Sequence, residues 1–437
     1  MEQGSLRLLA TGDMFITRHL PHGGYEGFSE LCEVIGKHDV KFSNLEMTFH
    51  NHEGYPAAAS GGTWAMTDPS MLDDVRAFGF NLFNTANNHS GDYSEGGVLA
   101  TIRHLNERGM VFSGTGKNLA EASRACYLET KQNRVALISI SATFTQASRA
   151  GGQSDEMQGR PGLNALRSTR YCYVDDAHYR MAEELANATC INADRLYSIR
   201  TGYLNPFPEG TLPFGDEVTF VRGETNYVTS EPNEEDMQRT EREIKEAARQ
   251  ADVVLVSFHA HEYDEVDTTV PAHFLELFSR RCIDAGADAV IGHGPHELRG
   301  IELYKGKPIF YSLGNFLFET ETVALQPYDA YINKKLPVDM RVGSYMDNRS
   351  KNGTVGFGVL PEIWKAVMAS WEIRDGKLAE IALYPITLGM EQNRTRKGTP
   401  RLSYDEETLR YLDKLCRPYG TKLRIENGIG YVELPKQ

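Results

Sequence analysis

The sequence predicts an α/β fold, on three observations. Short apolar runs that suit buried strands alternate with stretches of helical periodicity through the first third of the chain. The same alternation resumes at about residue 233, and at least five of the apolar runs finish on polar side chains, as strands do when their ends meet at one functional rim. A chain of 437 residues is long enough to bury a large core.

In chain order, LRLLATGD (6–13) and VKFSNLE (40–46) read as strands that end on carboxylates, and GFNLFNTANNH (79–89) as a strand that ends on amides and an imidazole. PSMLDDVRAFG (69–79) has helical spacing with Pro69 near its start and Gly79 at its end, and EGGVLATIRHLNERG (95–109) repeats it, closing on Gly109. RVALISIS (134–141) is a further buried strand. The stretch 145–230 is rich in Gly, Ser, Asn, Pro and Tyr; a structureless loop of that length is improbable inside a domain, so it reads as an insertion or lid bordering the site. NEEDMQRTEREIKEAARQAD (233–252) restores a helix, with acids first and bases later as the helix dipole prefers. VVLVSFHAH (253–261), FLELFSRRCIDAG (274–286) and DAVIGHGPH (288–296) follow as strand, helix and strand. The expected division is a core over 1–330 carrying the insertion, and a segment over 331–437 whose strands, such as 376–388, and helix near 404–416 complete or flank it.

Composition narrows the function classes. No stretch approaches the ~18–20 apolar residues of a membrane helix, and the N-terminal residues lack the basic start and apolar core of a secretory signal. A cytoplasmic protein without a membrane partner is expected. The six cysteines have no CxxC spacing, which argues against a disulfide scaffold or a zinc knuckle. A formal charge of −14 opposes nucleic-acid binding, which needs clustered Lys and Arg on the phosphates.

The strand ends supply Asp13, Glu46, Asn88, His89, His259, His261, His293 and His296. Carboxylates, an amide and several imidazoles in one set suit a divalent cation: Mn, Fe or Zn, or with added waters Ca or Mg. Each residue alone has an ordinary explanation, such as a turn aspartate, a capping acid or a satisfied core histidine; the joint occurrence favours a metal site. His259 and His261 in HxH spacing read as sharing one strand face. His89 and Asp92 stand three apart, so the carboxylate can fix the imidazole's tautomer, although Asp92 also suits a helix cap. Arg299 reads as a surface arginine. YSLGNF (311–316) reads as a strand and turn beneath the site, with Asn315 in reach of it.

The ordered series TGD, NLE, ANNHSGDY, VSFHAHEYD and DAVIGHGPHELRGIELYKGKPIFYSLGNFLF resembles the CapA family of poly-γ-glutamate capsule-synthesis proteins, placed in the calcineurin-like metallophosphoesterase superfamily, over about residues 6–320. The resemblance implies a four-layer αββα sandwich with a metal site at the strand ends. By that likeness Asp13 matches the first aspartate and Glu46 the bridging carboxylate, while Asn88 matches the amide ligand. His259 or His261 matches the single strand-end histidine, His293 and His296 the terminal pair, and His89 the catalytic histidine. Three positions depart from the pattern: Phe15 stands where the superfamily has histidine, Glu46 where it has aspartate, and Gly294 where relatives often have a second adjacent histidine. One metal, or one tight and one weak, is expected.

His89 with Asp92, and His296 with Asp13, make two His–Asp pairs, which suit removal of a proton from one face of a carbon and its return to the other. This places first a peptide epimerase inverting a Cα centre of a lasso-type precursor peptide, as CapA-like enzymes are known to do, with YLNPFPEGTLPFGD (203–216) as an aromatic groove for the peptide. A metal-dependent phosphoesterase or other hydrolase comes second. A non-catalytic capsule-assembly component comes third, lowered by the absence of an N-terminal anchor from the sequence.

Overall fold

The computed structural model describes residues 5–435. Among these, two large sheets face one another. In the first, Phe112–Ser113, Leu82–Asn84, Val40–Leu45 and Leu6–Phe15 run parallel, and Lys365–Arg374, Lys377–Thr387, Ile429–Val432 and Leu423–Glu426 extend it antiparallel. In the second, Arg134–Ser141, Val253–His259, Ala289–His293 and Lys307–Leu313 form a parallel centre, edged by Cys126–Glu129 and Leu298–Tyr304.

Side-chain alternation along the strands explains the layering. From the first sheet, Leu8, Ala10, Phe42 and Leu82 meet Val135, Leu137, Leu255 and Ile291 of the second in one core between the sheets. The intervening residues point outward: Leu9 and Met14 pack under the helices Phe28–Gly36 and Met71–Ala77, and Ile138, Val254 and Val256 under Glu234–Ala247 and His273–Ala285. Strands covered on both faces read as unbroken apolar runs, which is how they appear in the sequence. The result is the αββα sandwich that the resemblance implies.

Register then sets the site. Parallel pairing puts His259 level with His293 on one side and with Ser141 on the other, while Asp13 lies level with both Asn44 and Asn315. The ladder is irregular on either side of Asp13. Just before it, Gly12 lies so close to the neighbouring chain that a Cβ would fall 1.7 Å from the Gly314 carbonyl oxygen.

Several elements differ from expectation. The strand within 79–89 is confined to Leu82–Asn84, because Ser90 Oγ takes the Asn87 amide proton and bonds back to the Thr85 and Asn87 carbonyls, pulling the chain into turns. The strand carrying His259 stops there, so His261 belongs to the following loop. Within 145–230 the chain folds into Ser168–Val174, Thr211–Phe214, Val218–Arg222 and Tyr227–Pro232, a four-stranded sheet with the helices Asp176–Thr189 and Ala193–Arg200. The strands' entry and exit meet where the Asn233 amide donates to the Arg167 carbonyl at 2.7 Å.

Candidate metal centre

The structure brings six of the named side chains together at the strand ends. Asp13 Oδ1 stands 3.5 Å from His293 Nδ1 and 3.7 Å from His259 Nδ1, and Asp13 Oδ2 stands 3.6 Å from His296 Nδ1. Glu46 Oε1 lies 3.8 Å from His259 Nε2 and 3.9 Å from His296 Nε2. His261 joins through its Nε2, 3.2 Å from that of His259. Three overlapping groups have all their donor atoms within 4.8 Å of one another: Asp13–His259–His293, Glu46–His259–His261 and Asp13–Glu46–His296.

Polar partners fix how these groups present themselves. Asn315 Nδ2 donates to the carbonyls of His296 and Ile363, which leaves Asn315 Oδ1 to accept from His296 Nδ1 at 2.9 Å. The free lone pair of His296 is therefore on Nε2, the atom facing Glu46. On His293, Nε2 bonds Ser257 Oγ at 2.7 Å and Nδ1 faces Asp13. Asn44 receives the amides of Asn84 and Asn87 on Oδ1 and so turns Nδ2 to Asp13 Oδ1 at 2.7 Å. Asp13, His293 and His296 are thus oriented from behind, as metal ligands are. The Gly294 amide donates to Asp13 Oδ2, and a Cβ there would lie 2.8 Å from the Ala260 nitrogen, which accounts for glycine in place of a side chain. His296 holds a left-handed φ of 63° that a non-glycine residue adopts at a cost of about 1–3 kcal/mol.

Both oxygens of Glu46 are buried without a hydrogen-bond partner, and so is Asn88 Oδ1. Buried polar atoms are nearly always paired, and a carboxylate left bare costs several kcal/mol. Burial accordingly pushes Asp13 up to about 7 and, helped by the charges of Asp13 and Asp92, pushes Glu46 well above the usual carboxylate range. It pushes His293 down to about 3 and His296 to about 4, and holds His259 and His261 well below the ordinary imidazole value. Acids that resist ionisation beside imidazoles that resist protonation are what a divalent cation relieves, and the oxygen and nitrogen donors present fit such an ion.

His89 stands at the edge of this cluster, its Nε2 4.0 Å from Glu46 Oε1. Its Nδ1 bonds Asp92 Oδ2 at 2.7 Å, while the amides of Ala65 and Gly61 also donate to Asp92. Those bonds leave Asp92 no donor role, so His89 carries its proton on Nδ1 and presents Nε2. Phe15 packs edge-on against the His89 ring at 5.5 Å, making the position where the superfamily has histidine an apolar wall.

A family model described as bacterial capsule synthesis protein PGA_cap matches residues 7–320. The chain belongs to that family. It is 35% identical to an uncharacterized protein, y4sH, of Sinorhizobium fredii (strain NBRC 101917 / NGR234) over 98% of this chain and 93% of the relative. It is 24% identical to the PGA biosynthesis protein CapA of Bacillus subtilis (strain 168) over 71% of this chain and 64% of that protein. A shorter likeness, 39% over 75 residues, links it to a probable polyglutamine synthesis accessory protein of Mycobacterium tuberculosis (strain ATCC 25618 / H37Rv). These relatives favour the capsule-synthesis reading, placed third from sequence, over the epimerase placed first.

One further expectation is corrected. Arg299 is fully buried, with Nε on the Thr268 carbonyl and Nη2 on that of His261, bracing the loop after His259. Among the described residues, no hydrogen bond joins 203–216 to the cluster; the inserted sheet bonds instead to Asp264 and His273. Sequence reasoning missed Asn44, Asn87 and Ser257, whose only signal was a polar residue inside or just after an apolar run. No helix among the described residues is long and apolar enough to cross a membrane.

Proposed function

We propose that this chain is a divalent-metal-dependent hydrolase serving polyglutamate or capsule metabolism, with Asp13, Glu46, Asn88, His259, His261, His293 and His296 as the metal-holding set and His89 as the proton-transferring residue. The observation that carries the proposal is Glu46: a buried carboxylate with neither oxygen bonded, facing imidazole nitrogens on two sides. A metal bound there supplies Lewis acidity and a water of lowered pKa. When protonated on Nε2 as well, His89 can give that proton to the departing group, the Asp92 carboxylate stabilises the imidazolium through Nδ1, and Phe15 forms an apolar wall against the ring. The names of the relatives, capsule synthesis and PGA biosynthesis among them, speak for a substrate of that pathway in preference to a ribosomal precursor peptide.

A second reading, two-base epimerisation, draws on the 3.6 Å approach of His296 Nδ1 to Asp13. The shorter bond from that same nitrogen to Asn315 leaves His89 as the better-formed acid–base group and favours hydrolysis. Metal-loaded protein incubated with a γ-linked glutamate oligomer and with bis(p-nitrophenyl) phosphate in deuterated water separates the readings. Cleavage of either substrate, lost in His89→Ala with metal content retained, is expected. Deuterium at a Cα without cleavage would replace hydrolysis with epimerisation.

A further inference from the structure

A cavity of about 170 Å³ lies beside the metal centre, lined by Thr320, Glu321, Met346, Arg349, Phe357 and Trp364 among others. It shares a wall with the centre: the Phe357 ring packs edge-on against His296 at 5.3 Å, and Trp364 packs on Phe318, itself 4.7 Å from His296. Its other side is tied to the acid–base pair. Arg349 Nη1 donates to Thr63 Oγ1, and Thr63 sits between Gly61 and Ala65, whose amides hold Asp92.

The charges lining this cavity are unequal in an informative way. Glu321 is answered twice, by Arg394 at 3.4 Å and by Lys397 at 3.4 Å. Arg349 is half-buried at the end of the helix Val342–Arg349, and no carboxylate of the described residues lies within 4 Å of it. A guanidinium fork in an otherwise aromatic and thioether-lined space suits a planar carboxylate. With Glu321 already answered, the Arg349 guanidinium balances one negative charge and not the two of a phosphate monoester. The volume admits a group of side-chain size, several waters' worth at about 30 Å³ each.

We propose that this cavity is the carboxylate subsite of the metal centre, in which Arg349 pairs a single substrate carboxylate while Phe357, Met346 and Trp364 pack its apolar stem. The subsite deepens the hydrolase proposal by naming a carboxylate-bearing substrate, and rests on it only for the identity of the bond broken. A γ-linked glutamate chain, which carries a free carboxylate on every residue, has this chemistry.

The test is equilibrium binding of 3-phenylpropionate, 3-phenylpropionamide and phenyl phosphate by calorimetry, on chelator-treated and metal-loaded protein. Phenylpropionate is expected to bind both forms, with the amide and phenyl phosphate weaker. Arg349→Gln should weaken phenylpropionate at least tenfold with metal content unchanged, and Arg349→Lys, which keeps the charge without the fork, should fall between. Equal binding by wild type and Arg349→Gln would overturn the proposal, as would phenylpropionate binding only when metal is present, or tighter binding of phenyl phosphate. If phenylpropionate binds as expected but no substrate is cleaved, the hydrolase proposal fails and the subsite stands.

Discussion

Replacing Glu46 by glutamine separates a metal ligand from a structural acid, because the two roles predict opposite signs. In the metal-free protein the Glu46 carboxyl has no partner, is fully buried and resists ionisation, so an uncharged amide of the same shape relieves whatever cost of ionisation it bears. Its own N–H groups then lack partners, at about 1–3 kcal/mol, which offsets the gain. Glu46→Gln without metal should therefore lie within about 1 kcal/mol of wild type or above it. With metal the order reverses. At a hundredfold excess over its Kd, a ligand stabilises by ~2.7 kcal/mol, and a site weakened a hundredfold retains ~0.4 kcal/mol at that concentration. With an unfolding entropy of about 2.1 cal/mol/K per residue over 437 residues, the ~2.3 kcal/mol difference is about 2–3 °C in Tm. Thermal melts of both proteins, with chelator and with added Mn, Zn or Ca, measure it. A metal-free Glu46→Gln that melts many degrees below wild type, or one that keeps the full metal-induced rise, would refute the reasoning.

Three other outcomes follow from the geometry. Asp92→Asn sets an amide N–H either against Gly61 N, which donates to Oδ1, or against both His89 Nδ1 and Ala65 N, which share Oδ2; turnover should fall by about 10²–10⁴ with metal content unchanged, read by steady-state kinetics beside elemental analysis. Asp13, at about 7 in the metal-free fold against an ordinary 3.8, binds a proton more tightly folded than unfolded. That contribution to stability is complete below about pH 4 and lost as pH rises through 7. Metal must displace this proton and the one Glu46 holds, so affinity should rise steeply with pH up to about 7 and go on rising above it until Glu46 ionises, as titration calorimetry at several pH values would show. Replacing residues 168–232 by a short Gly-Ser linker should leave a folded, metal-binding core, since Arg167 and Asn233 already meet; circular dichroism and metal content of the excised protein check this.

Much of the core was legible in the sequence because its strands are buried on both faces and its helices have one apolar stripe. The strand at 134–141 and the helices near 95–109, 233–252 and 274–286 lie where the pattern puts them, within a few residues. The site was legible through strand-end chemistry: Asp13, Glu46, His259 and His293 fall at or beside strand termini, and parallel register levels them. Legibility ended where tertiary contacts decide. Arg299 carries a charge that periodicity assigns to the surface, yet backbone carbonyls 31 and 38 residues away receive it. Arg349, Phe357 and Trp364 come from the segment beyond 330, and nothing local indicates that they line one cavity, with Phe357 against His296. The second His–Asp pair looked equal to the first in sequence; Asn315, reached only through the fold, takes the His296 nitrogen it needed.

The most direct test of the metal centre is elemental analysis of the purified protein after dialysis against a mixture of Mn, Zn, Fe, Ca and Mg, beside His259→Ala and His293→Ala prepared identically. Wild type should retain at least one divalent ion per chain, with both variants retaining markedly less while still melting cooperatively. Wild type that holds no ion, or variants that hold as much as wild type, would contradict the account.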